Sequence, residues 1–364
     1  MRRAAIAITS PARHNRHRGE ADGDQAAVAA GHRSYRTIAP AEMLKPEDWK
    51  ELAKCILSGQ CTPFLGAGAC TPTLPAGNEL SSALAREFDY PLNNSADLAH
   101  VTQFIAIKSR DNVHPKQEIL KRIAACGYPR FEGTEPHHVL ASWPVPVYLT
   151  TNYDDFMVKA LEANKRSAHR DFCRWNKELA DYPGVWQREP GYQPSAEMPI
   201  VYHMHGNSDL AKSLVVTEDD YLEFVYNIAK SGSMTKTVDR SWEMLPPWIM
   251  RAISNHSLMF LGYSLLDWSF RVIFRWLVLS LRQTQTRLKI AVQLSPFADE
   301  ATNERAQIYL REYFHHVFDM TIFWGDAWQF IAEAQRHVIE LRAQTTDVQG
   351  QQVPGQVSEA QAQV

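Results

Sequence analysis

Short apolar runs alternate with helix-like segments through most of this 364-residue chain. That alternation restricts the fold more than any single motif does, because it is the pattern of an α/β protein whose strands pair mainly in parallel. The runs are Thr62 to Leu65, Val145 to Leu149, Ile200 to His203, Leu214 to Val216, Leu258 to Leu261, Lys289 to Leu294 and Met320 to Trp324. The spacing predicts a first helix over Pro46 to Leu57. It predicts another near Phe156, with Asp154 and Asp155 in the first turn, where the helix dipole favours acids. Thr217, three residues ahead of Asp220, reads as a capping box opening the helix Tyr221 to Ala229. After Asp267, Phe270, Ile273, Phe274, Leu277 and Leu281 recur at helical spacing and mark a core-packed helix. Residues 78–140 look mainly helical and could cap the sheet, whereas Lys165 to Met198 reads as a long irregular insertion.

The chain can fill a sizeable core: 45% of its residues are hydrophobic and ten are Trp. A net charge of -3 and a pI near 6.5 give no overall electrostatic reason to expect nucleic acid or an anionic membrane as the main ligand. The most membrane-like stretch, Ser257 to Leu281, carries Asp267, Arg271 and Arg275, each costly at a bilayer centre. Cys55, Cys61, Cys70, Cys126 and Cys173 form no C-x-x-C pair, so neither a zinc ribbon nor a disulfide framework is signalled and a reducing cytoplasm is expected. Residues 1–42, Arg- and Ala-rich without apolar period, read as a disordered arm, with Met43 just ahead of the first helix. Thr345 to Val364 reads as a disordered tail, leaving 43–344 as the folded part.

In open parallel sheets ligands bind outside the carboxyl ends of the strands, and four strand ends here carry chemistry. They read Leu65-Gly66-Ala67-Gly68, Leu149-Thr150-Thr151-Asn152-Tyr153-Asp154, Tyr202-His203-Met204-His205-Gly206-Asn207 and Leu261-Gly262-Tyr263-Ser264-Leu265-Leu266-Asp267. A Gly-Ala-Gly turn after a strand lets backbone N–H groups approach a phosphate, or lets a helix pack closely. Asn152 and Asp154 can serve a ligand or cap a helix. His205 can be a base or a hydrogen-bonded structural histidine, and Asp267 can be a helix N-cap. His203 and His205 share one face of an extended chain, but no third ligand has metal-site spacing, and no metal is expected.

These motifs, in this order, resemble the sirtuin superfamily, whose signatures are a G-A-G loop, a T-x-N-x-D motif and an H-G pair. Thr217-Glu218-Asp219-Asp220-Tyr221 and the turn Gly262 to Asp267 are similar to the sirtuin-like branch found in bacterial anti-phage defence proteins; the likeness covers about residues 48–335. Sirtuin deacylases carry a four-cysteine zinc module after the H-G pair and a P-D-F-R-like segment after the G-A-G loop. This chain has neither, reading Cys70-Thr71-Pro72-Thr73-Leu74-Pro75-Ala76-Gly77-Asn78 in the second place.

The resemblance therefore implies a Rossmann-like, mainly parallel α/β sheet with a helical insertion, and a site that takes NAD as substrate, without zinc. Water would replace the acyl-lysine as acceptor, giving an NAD+ hydrolase that releases nicotinamide and ADP-ribose as an antiviral effector. On that footing Gly66, Ala67 and Gly68 hold the diphosphate, Thr151 lines the cofactor site, and Asn152 positions the water or the ribose hydroxyls. His205 is the general base, Asp154 orients the loop or helps hold the nicotinamide end, Gly262 belongs to the cofactor site, and Ser264 and Asp267 meet the adenosine ribose. Alternative readings are a non-catalytic NAD- or ADP-ribose-binding regulatory subunit and an NAD-dependent deacylase. The defence branch further implies a homo-oligomer and a separately encoded activator, such as a HerA-like ATPase or a short Argonaute protein.

Overall fold

A computed structural model describes residues 44–231, 244–264, 271, 274–275, 288–294 and 300–350, all within one compact unit, Pro40–Val364. Asp267, most of the helix expected after it, the N-terminal arm and the chain beyond Gly350 lie outside the described residues.

Seven strands form one sheet: β1 (Cys61–Leu65), β2 (Val147–Thr150), β3 (His169–Phe172), β4 (Ile200–His203), β5 (Ser257–Leu261), β6 (Lys289–Gln293) and β7 (Thr321–Trp324). Their order is β3-β4-β2-β1-β5-β6-β7, and every neighbouring pair runs parallel. Side chains alternate between faces, so the sheet serves two cores. Phe64, Leu149, Tyr202, Phe260 and Ala291 join one cluster, with Phe224, Ile249 and Phe314 from flanking helices. Leu65, Tyr148, Val201, Met259 and Val292 join the other, with Trp49, Leu161 and Phe330. The result is helix, sheet, helix in three layers. Each such fully buried side chain contributes about 1.5–3 kcal/mol relative to exposure. Phe260 adds ring contacts to Phe64 at 4.9 Å and Phe274 at 4.8 Å, worth about 0.5–1.5 kcal/mol each.

The helices follow the expected signals. The first, α1, is Pro46–Leu57; Gly77–Glu87 (α2), Leu98–Ser109 (α3), His114–Cys126 (α4) and Pro136–Ala141 (α5) form the helical insertion. Phe156–Ala163 (α6) follows β2, and the short Val185–Arg188 (α7) follows β3. Glu218–Ser231 (α8) opens on the expected capping box: Asp220 N–H donates to Thr217 Oγ1 at 3.2 Å, and Thr217 N–H to Asp220 Oδ2 at 3.0 Å. Pro247–Asn255 (α9), Glu300–Phe318 (α10) and Ala327–Gly350 (α11) complete the set among the described residues. None of the described helices is long and apolar enough to cross a membrane.

Two expectations are corrected. Leu214 to Val216 is extended but pairs with no strand. Val215 N–H donates to His205 O, Val216 N–H to Asp220 Oδ2, and the carbonyls of Val215 and Val216 accept from Tyr153 OH and Thr102 Oγ1. Side chains thus replace a ladder in satisfying this buried backbone, and Leu214 and Val216 pack into a small separate core with Leu84, Val101, Ile105 and Ile119 of the helical insertion. The seventh strand is instead β3, inside the stretch read as irregular. Among the described residues it is an edge strand, paired only with β4, and its polar side chains hid it: His169 meets Glu189, Arg170 meets Asp209 and Asp171 meets Arg174.

Candidate active site

From β1 the chain moves to β2 on one flank and reaches β5 on the other, so a crevice opens where the two connections diverge. A cavity of about 970 Å3 occupies that position. Ala67, Gly68, Thr151, Asn152, Asp154, His205, Gly262 and Ser264 all line it. The four motif-bearing strand ends belong to β4, β2, β1 and β5, four successive strands of the sheet.

Gly66 lies behind the wall, and the loops explain why. Gly66 N–H donates to Leu261 O at 2.8 Å, and Gly68 N–H to Gly262 O at 2.9 Å. A Cβ on Gly66 would stand 2.8 Å from Gly262 O, and one on Gly68 would stand 2.9 Å from Gly262 Cα. Gly262 has φ +76°, and its Cβ would fall 2.2 Å from Ala69 N. The glycines are therefore required for the β1 and β5 loops to touch. Two of the three N–H groups assigned to a diphosphate are already donated within the protein, and Ala67 N–H has no partner among the described residues. The cavity wall also includes Ala76, Gly77 and Asn78 at the start of α2, which the sequence reading had not singled out.

Asn152 follows β2. Its backbone N–H donates to Thr150 Oγ1 at 2.9 Å, and its side-chain Nδ2 donates to Gly66 O at 3.0 Å and to Cys70 Sγ at 3.2 Å. A carbonyl oxygen only accepts, so the group facing Gly66 O is the NH2, and the Oδ1 carbonyl is what Asn152 offers a ligand. Asp154 stands one residue ahead of Asp155, the N-cap of α6: its Oδ1 accepts the Phe156 N–H at 3.0 Å, and its Oδ2 accepts from Cys70 Sγ at 3.4 Å.

The two histidines part company. His203 Nδ1 donates to Asn152 O at 2.9 Å, and its Nε2 accepts from Arg170 Nε at 3.2 Å. Both nitrogens are spent on structure. His205 is buried against the rings of Tyr221 at 5.5 Å and Phe224 at 5.0 Å, and its Nε2 finds no hydrogen-bond partner among the described residues. Burial pulls its pKa down to about 3, so it is neutral near pH 7. Gly206 next to it has φ +80°, and a Cβ there would lie 2.1 Å from Ser213 O, which accounts for the glycine of the H-G pair.

Sequence reasoning missed three contributors. Tyr263 OH donates to Leu65 O at 2.9 Å and accepts from Thr151 Oγ1 at 3.2 Å, tying β1, β2 and β5 together at the cavity floor. Arg170 reaches His203, Ser208 and Asp209 from the edge strand. Cys70 touches both Asn152 and Asp154. A lone tyrosine, arginine or cysteine carries no spacing signal, so only the folded structure brings them in. Among the described residues no group of three or more His, Cys, Asp and Glu side chains could hold a metal ion.

Residues 146–318 match the model of the SIR2-like domain. Among curated proteins, this chain is 26% identical over 170 residues to an NAD(+) hydrolase ThsA of Acinetobacter baumannii, covering 46% of this chain and 31% of that protein. It is 26% identical over 220 residues to an NAD(+) hydrolase ThsA of Enterococcus faecium, covering 60% and 40%, and 27% identical over 177 residues to one of Bacillus cereus, covering 48% and 34%. The chain thus spans less than half the length of these relatives.

Proposed function

We propose that the protein is an NAD+ hydrolase that cleaves the bond between nicotinamide and ribose. The observation that carries this reading is the placing of Asn152, with its carbonyl unspent, and a buried His205, whose Nε2 has no partner among the described residues, on one cavity at the carboxyl ends of the strands. The names of the similar ThsA proteins support the substrate class.

NAD+ and water would give ADP-ribose, nicotinamide and a proton. The C–N bond breaks with its electron pair going to the positively charged nicotinamide ring, which departs neutral and needs no acid. The ribose carbon gains oxocarbenium character, and a water oxygen forms the new bond. Asn152 Oδ1 accepts a hydrogen bond from that water or from a ribose hydroxyl, fixing its direction. His205, neutral at pH 7, receives the proton as attack proceeds. With Gly66 and Gly68 already bonded, the diphosphate falls to Ala67 N–H and the first turn of α2, and Ser264 lies on the adenosine side. In this reading the hydrolase serves antiviral defence as a homo-oligomer, switched on by a separately encoded partner.

A second reading, a non-catalytic subunit that binds NAD or ADP-ribose, draws support from the low basicity of His205. Incubating the purified chain with NAD and separating the products by chromatography tests both. Release of nicotinamide with ADP-ribose, lost in Asn152→Ala and His205→Ala, supports the hydrolase; binding without nicotinamide release supports the subunit.

A further inference from the structure

Behind Asn152 lies a connected set of buried polar side chains that the proposed mechanism does not use. Glu135 Oε2 accepts the His138 N–H at 2.7 Å at the start of α5, and Glu135 Oε1 accepts from His137 Nδ1 at 2.7 Å. His137 Nε2 lies 3.9 Å from Cys70 Sγ, and that sulfur lies 3.4 Å from Asp154 Oδ2 and 3.2 Å from Asn152 Nδ2. Glu135, His137, Cys70 and Asp154 are all buried. Phe156 closes the space with its ring 5.8 Å from His137 and also packs with Cys70 and Leu74.

Protonation follows from this chain of contacts. Burial pushes the Glu135 carboxyl up, but the hydrogen bonds from His137 and His138 outweigh it and leave it below the usual carboxylate range. A carboxylate only accepts, so His137 Nδ1 carries the proton that faces Glu135 Oε1. The Cys70 thiol stays protonated, because burial first and the Asp154 and Glu135 carboxylates next push its pKa well above the ordinary thiol value. The acceptor for that proton, Asp154 Oδ2, draws it away from Asn152, and the His137 ring packs on the sulfur from the other side at 3.9 Å. What the sulfur turns to Asn152 is a lone pair.

We propose that Cys70, oriented by His137 and Glu135, is a positioning residue that fixes the polarity of the Asn152 amide so that its carbonyl, and not its NH2, meets the ligand. Both Nδ2 protons are consumed, one by Gly66 O and one by Cys70 Sγ. A flipped amide would set Oδ1 against two acceptors. Sulfur suits the task because its longer reach touches three partners that a hydroxyl, which needs about 2.5–3.0 Å, would not span together. This inference rests on the NAD-cleavage reading for its kinetic consequence, though not for its structural one.

The test uses the full chain as Cys70→Ala, Cys70→Ser and His137→Gln, with two readouts. The first is kcat and KM for NAD cleavage. Cys70→Ala is expected to lower kcat by about 10- to 100-fold, the scale of a misdirected group, with KM within about twofold, and Cys70→Ser, whose shorter reach cannot hold all three partners, to recover only a minor part of the loss. The second is the Asn152 side-chain amide resonance in protein 15N-labelled at Asn, assigned with Asn152→Ala. Its protons are expected to be slow to exchange in the wild type and fast in Cys70→Ala and His137→Gln. A folded Cys70→Ala protein with wild-type kcat, or with Asn152 amide exchange unchanged, overturns the proposal. If the wild type cleaves no NAD, the hydrolase reading fails by itself, and the amide exchange then decides the positioning role alone.

Discussion

His203 donates its Nδ1 proton to the backbone carbonyl of Asn152 across 2.9 Å, two residues before His205 presents an imidazole with no Nε2 partner among the described residues. The pair therefore divides labour: one ring braces the loop that carries Asn152, and the other lies in the cavity wall with its Nε2 buried. Removing each should leave different marks. His205→Ala should lose about 100-fold or more in NAD cleavage, the range of a general base, with the stability cost of a cavity against Tyr221 and Phe224. His203→Ala strands Arg170 Nε and the Asn152 carbonyl and should lower unfolding free energy by about 1–3 kcal/mol. Urea unfolding and nicotinamide release, measured on both variants, check the division.

Acid should unfold the protein through the same two rings. Burial lowers both pKa values from 6.5 to about 3, helped at His203 by the Arg170 guanidinium. The unfolded chain takes up a proton on each as pH falls through 6.5, whereas the folded chain does not until near pH 3. Their contribution is thus fully present above about pH 6.5 and drains away as pH drops towards 3, by up to about 1.4 kcal/mol per unit for each ring. Urea midpoints at pH 7.5, 6 and 5 should fall in that order, and His205→Phe should flatten the trend.

Glycine substitutions should separate contact from mere flexibility. Gly262→Ala forces a Cβ to 2.2 Å from Ala69 N at a φ of +76°, and it should cost several kcal/mol or prevent folding. Gly77→Ala places its Cβ in open space at the start of α2, where the change should be neutral or stabilising by up to about 1 kcal/mol. Thermal melting of the two variants reads the contrast directly.

Lys116 and Asp220 form a buried ion pair at 2.8 Å between α4 and α8. Asp220 also accepts the N–H groups of Val216 and Thr217, so its loss orphans a buried ammonium and two backbone donors together. Asp220→Ala should therefore destabilise by about 3–5 kcal/mol, and Lys116→Met by less, because two N–H donors still serve the carboxylate. Equal losses in denaturant unfolding would refute this ordering.

The parallel sheet was legible because six of its strands are apolar runs bounded by turn residues. Helices α1, α6 and α8 announced themselves through Pro46, the acids near Phe156 and the Thr217 capping box. The exchange of Leu214 to Val216 for β3 shows the limit: hydrophobicity reports burial, and burial against helices looks the same as burial in a sheet. At the site, Asn152 and His205 were readable because each follows a strand in a motif. Tyr263, Arg170 and Cys70 were not, since their roles depend on partners up to 198 positions away, as with Tyr263 and Leu65. The Gly-Ala-Gly loop was found for one reason and is required for another.

That requirement has a hereditary side. Gly66, Gly68 and Gly262 exclude a side chain from the same small volume, so they amount to one constraint written at three places in the gene. A descendant cannot drift at any one of them without rebuilding both loops at once. Wall positions of the helical insertion, such as Asn78, Asn94 and His100, meet the same cavity without taking part in that contact.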